Sequence, residues 1–482
     1  MKRTLWMLLV LLSFLLVTTA ATAQDLGELD GLGDTETQDS SGLGGFDDLS
    51  DLGSDDLGSG DAADLSGGDD DLSEPEKPSV QFGGYVKPLA YWQSVRYSDE
   101  AWGAMQTMGS LGRSIPSDQQ SSGYSDLGAR FQLTLEGFLG DKARFFAAVN
   151  LEQNEAVDAS KPTANTSVVE AYAEIYDHSR TWKVGRQLVT WGYMEGVEVP
   201  TDRVNSRDFS YNSTEYEDSK VASTGVSLTQ PLGDFSGVQL MWIPAGKTNM
   251  DALGTDVFYN LADQKPSKTT GNSKAAARYF MSLGRLDLAL SYVEGTDPVA
   301  DVAVAQNMDI GRVYHHEKSP GLDIQYSLGS YFAKFAYAAH LSEDSQGSDP
   351  AVKNSWDHYA AGIETSFGSS TVNLYAGKKV VRNWEESSAA QTIANQLMGQ
   401  GAKETQFVSG HISSAFLTGD ALRSTFIFAS YWDDQGSLTQ LLAKPTVSYK
   451  ITDGLLVMVS PTYASAADTL YQQMQGEIKY TF

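Results

Sequence analysis

The sequence predicts an all-β fold, a transmembrane antiparallel β-barrel of about eighteen strands, with sixteen as the alternative count. Three observations carry this. Short segments alternate apolar and polar residues from Val80 to the last residue. Tight turns alternate with longer polar connections along the same stretch. The final segment, "QQMQGEIKYTF", puts Phe482, Tyr480, Ile478, Gly476, Met474 and Leu470 on one parity and Thr481, Lys479, Glu477, Gln475 and Gln473 on the other. Successive strand side chains point to opposite faces, so the segment is a ribbon with one oily side and one wet side.

Ahead of the strands lie two segments of different character. Met1-Lys2-Arg3, the apolar run Leu5 to Val17 and the small-residue site Ala21-Thr22-Ala23 form a secretory signal peptide, cleaved after Ala23. Its apolar core is too short to cross a bilayer. Residues 24–79 hold 18 Asp+Glu against one Lys, a net charge of −17, whereas residues 80–482 hold 44 acidic and 31 basic residues, a net of −13. Nearly all Asp, Gly, Ser and Leu, residues 24–79 cannot bury enough apolar surface to offset their ordering entropy; a disordered acidic periplasmic tail is expected. Their Asp-Leu-Gly units lack the fixed period of a calcium-binding repeat. The expected organisation is therefore signal peptide 1–23, acidic tail 24–79 and barrel 80–482.

The strands follow in order. The first is expected around Gly83–Val95. Over 126–139, Leu127, Ala129, Phe131, Leu133, Leu135 and Leu139 oppose Asp126, Arg130, Gln132, Thr134 and Glu136. Over 142–154, Ala143, Phe145, Ala147, Val149 and Leu151 oppose Lys142, Arg144, Asn150 and Glu152. Residues 168–176 set Val169, Ala171, Ala173 and Ile175 against Glu170, Tyr172, Glu174 and Tyr176. Segments 322–328, 331–341 and 441–451 repeat the pattern. Long connections are expected at 98–124, 193–220, 247–272, 295–319 and 385–405, and "SAAQTIANQLM" at 388–398 reads as a short helix inside one of them. In all, eight tight turns alternate with nine outer connections, of which the last two are short.

With no helical layer to cover the apolar parity, closing the sheet is what satisfies every backbone group in lipid. The apolar parity then faces hydrocarbon and the polar parity lines a lumen. Trp92, Trp356, Trp384, Tyr431 and Trp432, toward strand ends, fit two aromatic girdles. An even strand count puts both chain ends on the turn side.

The terminal strand resembles the C-terminal signature of bacterial outer-membrane proteins, with Met474, Ile478, Tyr480 and Phe482 in the alternate positions. The resemblance implies that the outer-membrane assembly machinery reads this strand and that it closes against the first. A second resemblance lies in "WKVGRQLVTWGYMEGVEVPTDRVNSRDFS", residues 182–210, which is similar to the G-R-Q-x-x-x-W-G element of a family of porin-like outer-membrane barrels of Gram-negative bacteria. Gly185, Arg186, Gln187, Trp191 and Gly192 match directly; Asp202, Asn205 and Asp208 match the following loop, with Ser206 where that family has proline. By strand parity Arg186 would face lipid, so a bulge at Gly185 that turns it to the lumen is expected.

The connection 193–220 is the third outer loop, and in general porins the third loop folds into the pore. It carries Glu195, Glu198, Asp202, Arg203, Arg207 and Asp208, while the wall offers Arg130, Arg144, Lys274, Arg278 and Lys334 on its polar parity. A carboxylate-rich loop facing a basic wall would set a transverse field across a constriction and select solutes by charge.

The expected role is passive diffusion of small hydrophilic or amphipathic solutes, with the bilayer, the assembly machinery and the solutes as partners; association of three barrels is left open. The alternative is a non-conducting sheath or docking barrel. An outer-membrane lipid hydrolase is a remote third: His411 and Ser413 have the spacing of a base and nucleophile, but no asparagine follows about a dozen residues later. The chain has no cysteine, which excludes disulfides, Cys-bound metals and c-type haem. No cofactor or metal site is expected, and the acidic balance argues against nucleic acid.

Overall fold

Alternation over this many segments has one closed solution, and the computed structural model adopts it. The structure describes residues 79–99, 102, 120–154, 163–207, 219–244, 262–263, 272–304, 310–349, 351–384, 400–466 and 469–482. The signal peptide, residues 24–78 of the acidic tail and the helix expected at 388–398 lie outside them.

Eighteen strands form one sheet. They are β1 (Ser79–Tyr97), β2 (Ser121–Leu139), β3 (Ala143–Asn154), β4 (Thr163–Asp177), β5 (Arg180–Gln187) and β6 (Ser223–Pro231). Next come β7 (Ser236–Ile243), β8 (Lys274–Leu283), β9 (Leu286–Thr296), β10 (His316–Leu328), β11 (Tyr331–Ser342) and β12 (Trp356–Phe367). The last six are β13 (Ser370–Val381), β14 (Glu404–Phe416), β15 (Leu422–Asp433), β16 (Leu438–Thr452), β17 (Leu455–Ala466) and β18 (Thr469–Thr481). Each pairs antiparallel with its neighbour in sequence, and β18 pairs with β1, Glu477 opposite Leu89 and Met474 opposite Trp92. The ring has no edge strand.

The two parities separate as expected. Leu127 is 73% exposed and Met474, Ile478, Tyr480 and Phe482 lie between 46% and 52%, all pointing outward. Lys87, Arg130, Asn150 and Glu174 point inward and are buried. So large a continuous apolar skin exceeds anything a water-soluble monomer displays. No described helix is long and apolar enough to cross a membrane, a test that does not address strands.

Three details depart from expectation. Val169 is skipped in the β3–β4 register, which shifts between Ala148 and Val149, so Val168 takes the outward position. The loop 295–319 is shorter, 297–315, and carries a hairpin of 301–304 with 310–313. The bulge at Gly185 is absent: pairing runs unshifted through it on both sides, Val184–Gly185–Arg186 facing Ala173–Tyr172–Ala171 and Val226–Gly225–Thr224. Arg186 therefore keeps the parity of outward-facing Val184. Gly185 is needed for another reason: it has φ +133°, and a Cβ there would stand 2.3 Å from the Ala171 carbonyl oxygen.

Candidate functional site

The described parts of the third outer connection (loop 3), residues 188–207 and 219–222, line the inside of the barrel. The end of β5 aims the loop: the Leu188 amide donates to Glu170 Oε1 at 2.6 Å, and Gln187 Nε2 donates to the carbonyls of Lys183 and Gly225. Trp191 and Val204 pack against Met241 and Ile243 of β7, Ala276 of β8 and Val293 of β9. The chain then continues along the inner wall. Met194 joins Ala336, Ala360, Tyr375, Phe407, Ala429 and Tyr431 in one buried cluster, flanked by Val197, Val199 and Leu442. Apolar loop residues thus seat on the small and aromatic inward residues of β11–β15, burying surface on both sides of the contact.

Two carboxylates pin the far end. Glu198 receives Lys379 Nζ at 3.0 Å and the Tyr431 hydroxyl at 2.6 Å, with His358 Nε2 at 3.4 Å. Glu195 accepts from Asn373 Nδ2 at 3.1 Å, and its own amide donates to the Tyr375 hydroxyl at 3.3 Å. On the return, Thr201 donates to Asp323 of β10 at 2.8 Å. Arg203 pairs with Asp297 at 3.2 Å and Glu317 at 3.0 Å. Asp297 also pairs with Lys353, which lies 3.3 Å from Asp301; Glu317 meets His340 Nδ1 at 3.0 Å. This buried network ties loop 3 to the connections 297–315 and 343–355. Burial pushes the Asp301 carboxyl up against the pull of Lys353. Burial also pushes Lys353 down, but Asp297, Asp301 and Glu317 outweigh it and hold the ammonium above the ordinary lysine value.

Gly192, Asp202 and Asn205 fasten the loop to itself. Gly192 has φ +106°, and a Cβ there would sit 2.9 Å from Thr201 Oγ1. Asp202 holds Arg207 and Lys220, both at 3.3 Å, joining the two limbs. Asn205 Nδ2 donates to the Val189 carbonyl. Asp208 lies outside the described residues.

The basic wall is arranged differently from expectation. Arg130 pairs with Glu152 at 2.6 Å, Arg144 with Glu136 at 2.6 Å and Glu174 at 3.1 Å, and Lys334 with Glu364. Each cation thus finds a carboxylate on its own strand neighbours, because residues on one face of adjacent strands lie side by side. Lys274 Nζ serves the loop's backbone, donating to the carbonyls of Arg203 and Val204 at 3.3 and 3.4 Å. Arg278 stacks over Tyr193 at 5.4 Å. Among the described residues, loop carboxylate meets wall cation where Glu198 pairs with Lys379, a lysine the sequence reading passed over.

Trp356 and Tyr431 also differ from the girdle reading. Trp356 stacks on His340 with centroids 3.8 Å apart, and Tyr431 sits against Phe407 and Glu198, both facing the bore. Trp92 does point outward, 47% exposed. His411 and Ser413 face inward opposite Asn373 and Thr371; Asn373 is engaged by Glu195, and Ser413 Oγ lies 3.4 Å from Thr425 Oγ1.

No protein-family model matches the chain, and no curated protein matches it. Among solved structures it is similar to OccK3 (OpdO) of Pseudomonas aeruginosa, at 10% identity and TM-score 0.49 over 83% of this chain and 95% of that one. It is also similar to OccK1 (OpdK) of the same organism, at 11% and 0.49 over 83% and 98%, and to OccK5 (OpdH), at 8% and 0.48 over 83% and 98%. Likeness at this level carries neither solute nor mechanism over to this chain.

Proposed function

We propose that the protein is a porin of a Gram-negative outer membrane, exported by its signal peptide, inserted through recognition of β18, and passing small hydrophilic or amphipathic solutes down their gradients. The observation that carries this is the polarity of the closed ring. An apolar skin faces outward and an ion-paired polar face lines the bore, the arrangement a water-filled channel in lipid requires. Loop 3, braced between β7–β9 and β11–β15, narrows that bore. Glu195, Glu198, Asp202, Arg203, Arg207 and Asp208 on the loop, with Arg130, Arg144, Lys274, Arg278 and Lys334 on the wall, are its selectivity candidates. Arg186, whose Nε is buried at the end of β5, is a further candidate.

The test is conductance across a planar bilayer with purified full-length protein. Discrete steps with a linear current–voltage relation are expected. The Glu198→Gln and Asp202→Asn variants should change the reversal potential in a salt gradient. Silence over many insertions would overturn the channel reading and favour a sheath or docking barrel.

A further inference from the structure

We propose that the joint between loop 3 and the start of β8 binds one chloride-sized anion, held by Lys274, Thr296 and Arg203. Lys274 supplies the first reason. Among the buried cations of the described residues, Lys87 meets Glu477, Arg130 meets Glu152, Lys334 meets Glu364, and Lys353 meets Asp297 and Asp301. Lys274, 4% exposed, has no described carboxylate at ion-pair distance. Its ammonium donates to the carbonyls of Arg203 and Val204 at 3.3 and 3.4 Å, long for a charged donor. A buried ammonium is costly unless a counter-charge meets it, and the protein supplies none here.

The second reason is the cavity that Lys274 borders. It has room for about one water-sized guest, and Arg203, Thr296, Asp297 and Glu317 share its wall. Two of these side chains keep a buried polar atom without a partner, Arg203 Nε and Thr296 Oγ1, and Thr296 is 6% exposed. The carboxylates beside them are engaged elsewhere. Asp297 Oδ1 accepts from Arg203 Nη2 at 3.2 Å and from the Val299 amide at 3.0 Å, and Asp297 Oδ2 pairs with Lys353. Glu317 Oε1 accepts from Arg203 Nη2 and meets His340 Nδ1, both at 3.0 Å. The groups left over at the cavity are therefore donors: an N–H of Lys274, the Nε–H of Arg203 and the hydroxyl of Thr296. A water accepts from two of them at most and must place its own hydrogens; a halide accepts from all three.

Size sets the class of ligand. So small a space admits a monatomic anion and excludes sulfate, phosphate and organic carboxylates. Position sets the consequence. Arg203 belongs to the return limb of loop 3, Lys274 to β8 and Thr296 to β9. An ion between them ties the loop to two strands at once and separates the like charges of Arg203 and Lys274. It does so beside the contact in which Val204 packs against Ile243 and Ala276, reinforcing that end of the loop.

The natural absence of cysteine makes the test clean. Val204 is 1% exposed beside Arg203, so Val204→Cys reports local opening of this joint. Full-length protein is labelled with a neutral water-soluble maleimide in about 0.3 M sodium chloride, bromide or gluconate, salts of equal ionic strength and equal screening. An ion that binds only the closed joint slows labelling by the factor 1 + [L]/Kd, so a site half-filled at about 30 mM slows it roughly tenfold. That difference is expected between either halide and gluconate, and it should vanish in Thr296→Val and in Lys274→Met. Thr296→Val keeps every charge in place, so it serves even if Lys274→Met fails to fold. Crystals grown in bromide should show an anomalous peak within hydrogen-bond reach of Lys274 Nζ, Thr296 Oγ1 and Arg203 Nε. Equal rates in the three salts, a difference that survives the substitutions, or bromide crystals without that peak would overturn the proposal. None of these readouts measures transport, so failure here leaves the channel reading standing and the converse also holds.

Discussion

Glu198 is the loop's furthest anchor, and its removal has a calculable effect. In Glu198→Ala the Tyr431 hydroxyl and His358 lose their buried acceptor and Lys379 loses its carboxylate. Breaking a buried charge pair costs about 3–5 kcal/mol. Lys379's side chain is 30% exposed and regains water, which lowers the figure to about 2–3 kcal/mol. At 1.4 kcal/mol per decade, local detachment of loop 3 becomes about 30- to 150-fold more frequent. Met194, 4% exposed in the contact with β11–β15, can report this as Met194→Cys. If labelling by a soluble maleimide proceeds through local opening, its rate should rise by that factor in Glu198→Ala. In Glu198→Gln, which keeps an acceptor for Tyr431, the rise should be roughly tenfold. A change below about threefold in both would mean that the apolar contacts hold the loop and the carboxylate is incidental.

Other consequences are equally direct. Gly185→Ala should lower stability by about 1–3 kcal/mol, read as a urea midpoint in lipid vesicles, because φ +133° and the Ala171 carbonyl both exclude a side chain; an unmoved midpoint would refute this. Lys353→Met strands Asp297 and Asp301, so backbone amides of 343–355 should exchange at least about a hundredfold faster, and Asp297→Asn/Asp301→Asn should restore most of the protection. Burial pushes Asp344 up, but backbone amides of Asp349, Gln346, Ser348 and Gly347 outweigh it and hold the carboxyl below the ordinary value. A depressed acid stabilises its turn above the ordinary aspartate range and ceases to as pH falls through the lowered value. The Gln346 and Asp349 amide shifts should therefore stay constant down to about pH 4 and move together only below it. Movement centred above pH 5 would contradict the assignment.

Where strands were concerned, the sequence was legible because parity is a local signal. It yielded the ring and the turn-and-loop alternation, whereas the closure of β18 on β1 came from the resemblance of the last strand to those of outer-membrane proteins. Loop 3's entry into the bore rested on resemblance alone, and its anchors were hidden: Glu198 and Tyr431 stand 233 residues apart, with nothing local to link them. Trp356 is a different case. Tyr359, Ala361, Ile363 and Phe367 carry the oily parity of β12, so Trp356, on the other parity, could have been assigned to the bore. Proximity to a strand end overrode that signal. At Gly185 an unfavourable position for Arg186 prompted a bulge, whereas the pairing runs unshifted and the glycine answers to backbone crowding.

A ring of hydrogen-bonded ribbon resists stretching along its strands but ovalises readily, since bending spreads over many soft twists. Loop 3 works on this ring as a tie across part of its inner wall, fixed at one end among Met241, Ile243 and Ala276 of β7–β8 and at the other by Glu195 and Glu198 against β12–β15. Changing the curvature of the wall between β7 and β15 must strain the tie or tear out an end. The sector from β7 to β15 should accordingly keep its curvature while the rest of the ring bends, so lateral pressure in the surrounding bilayer would deform the ring unevenly.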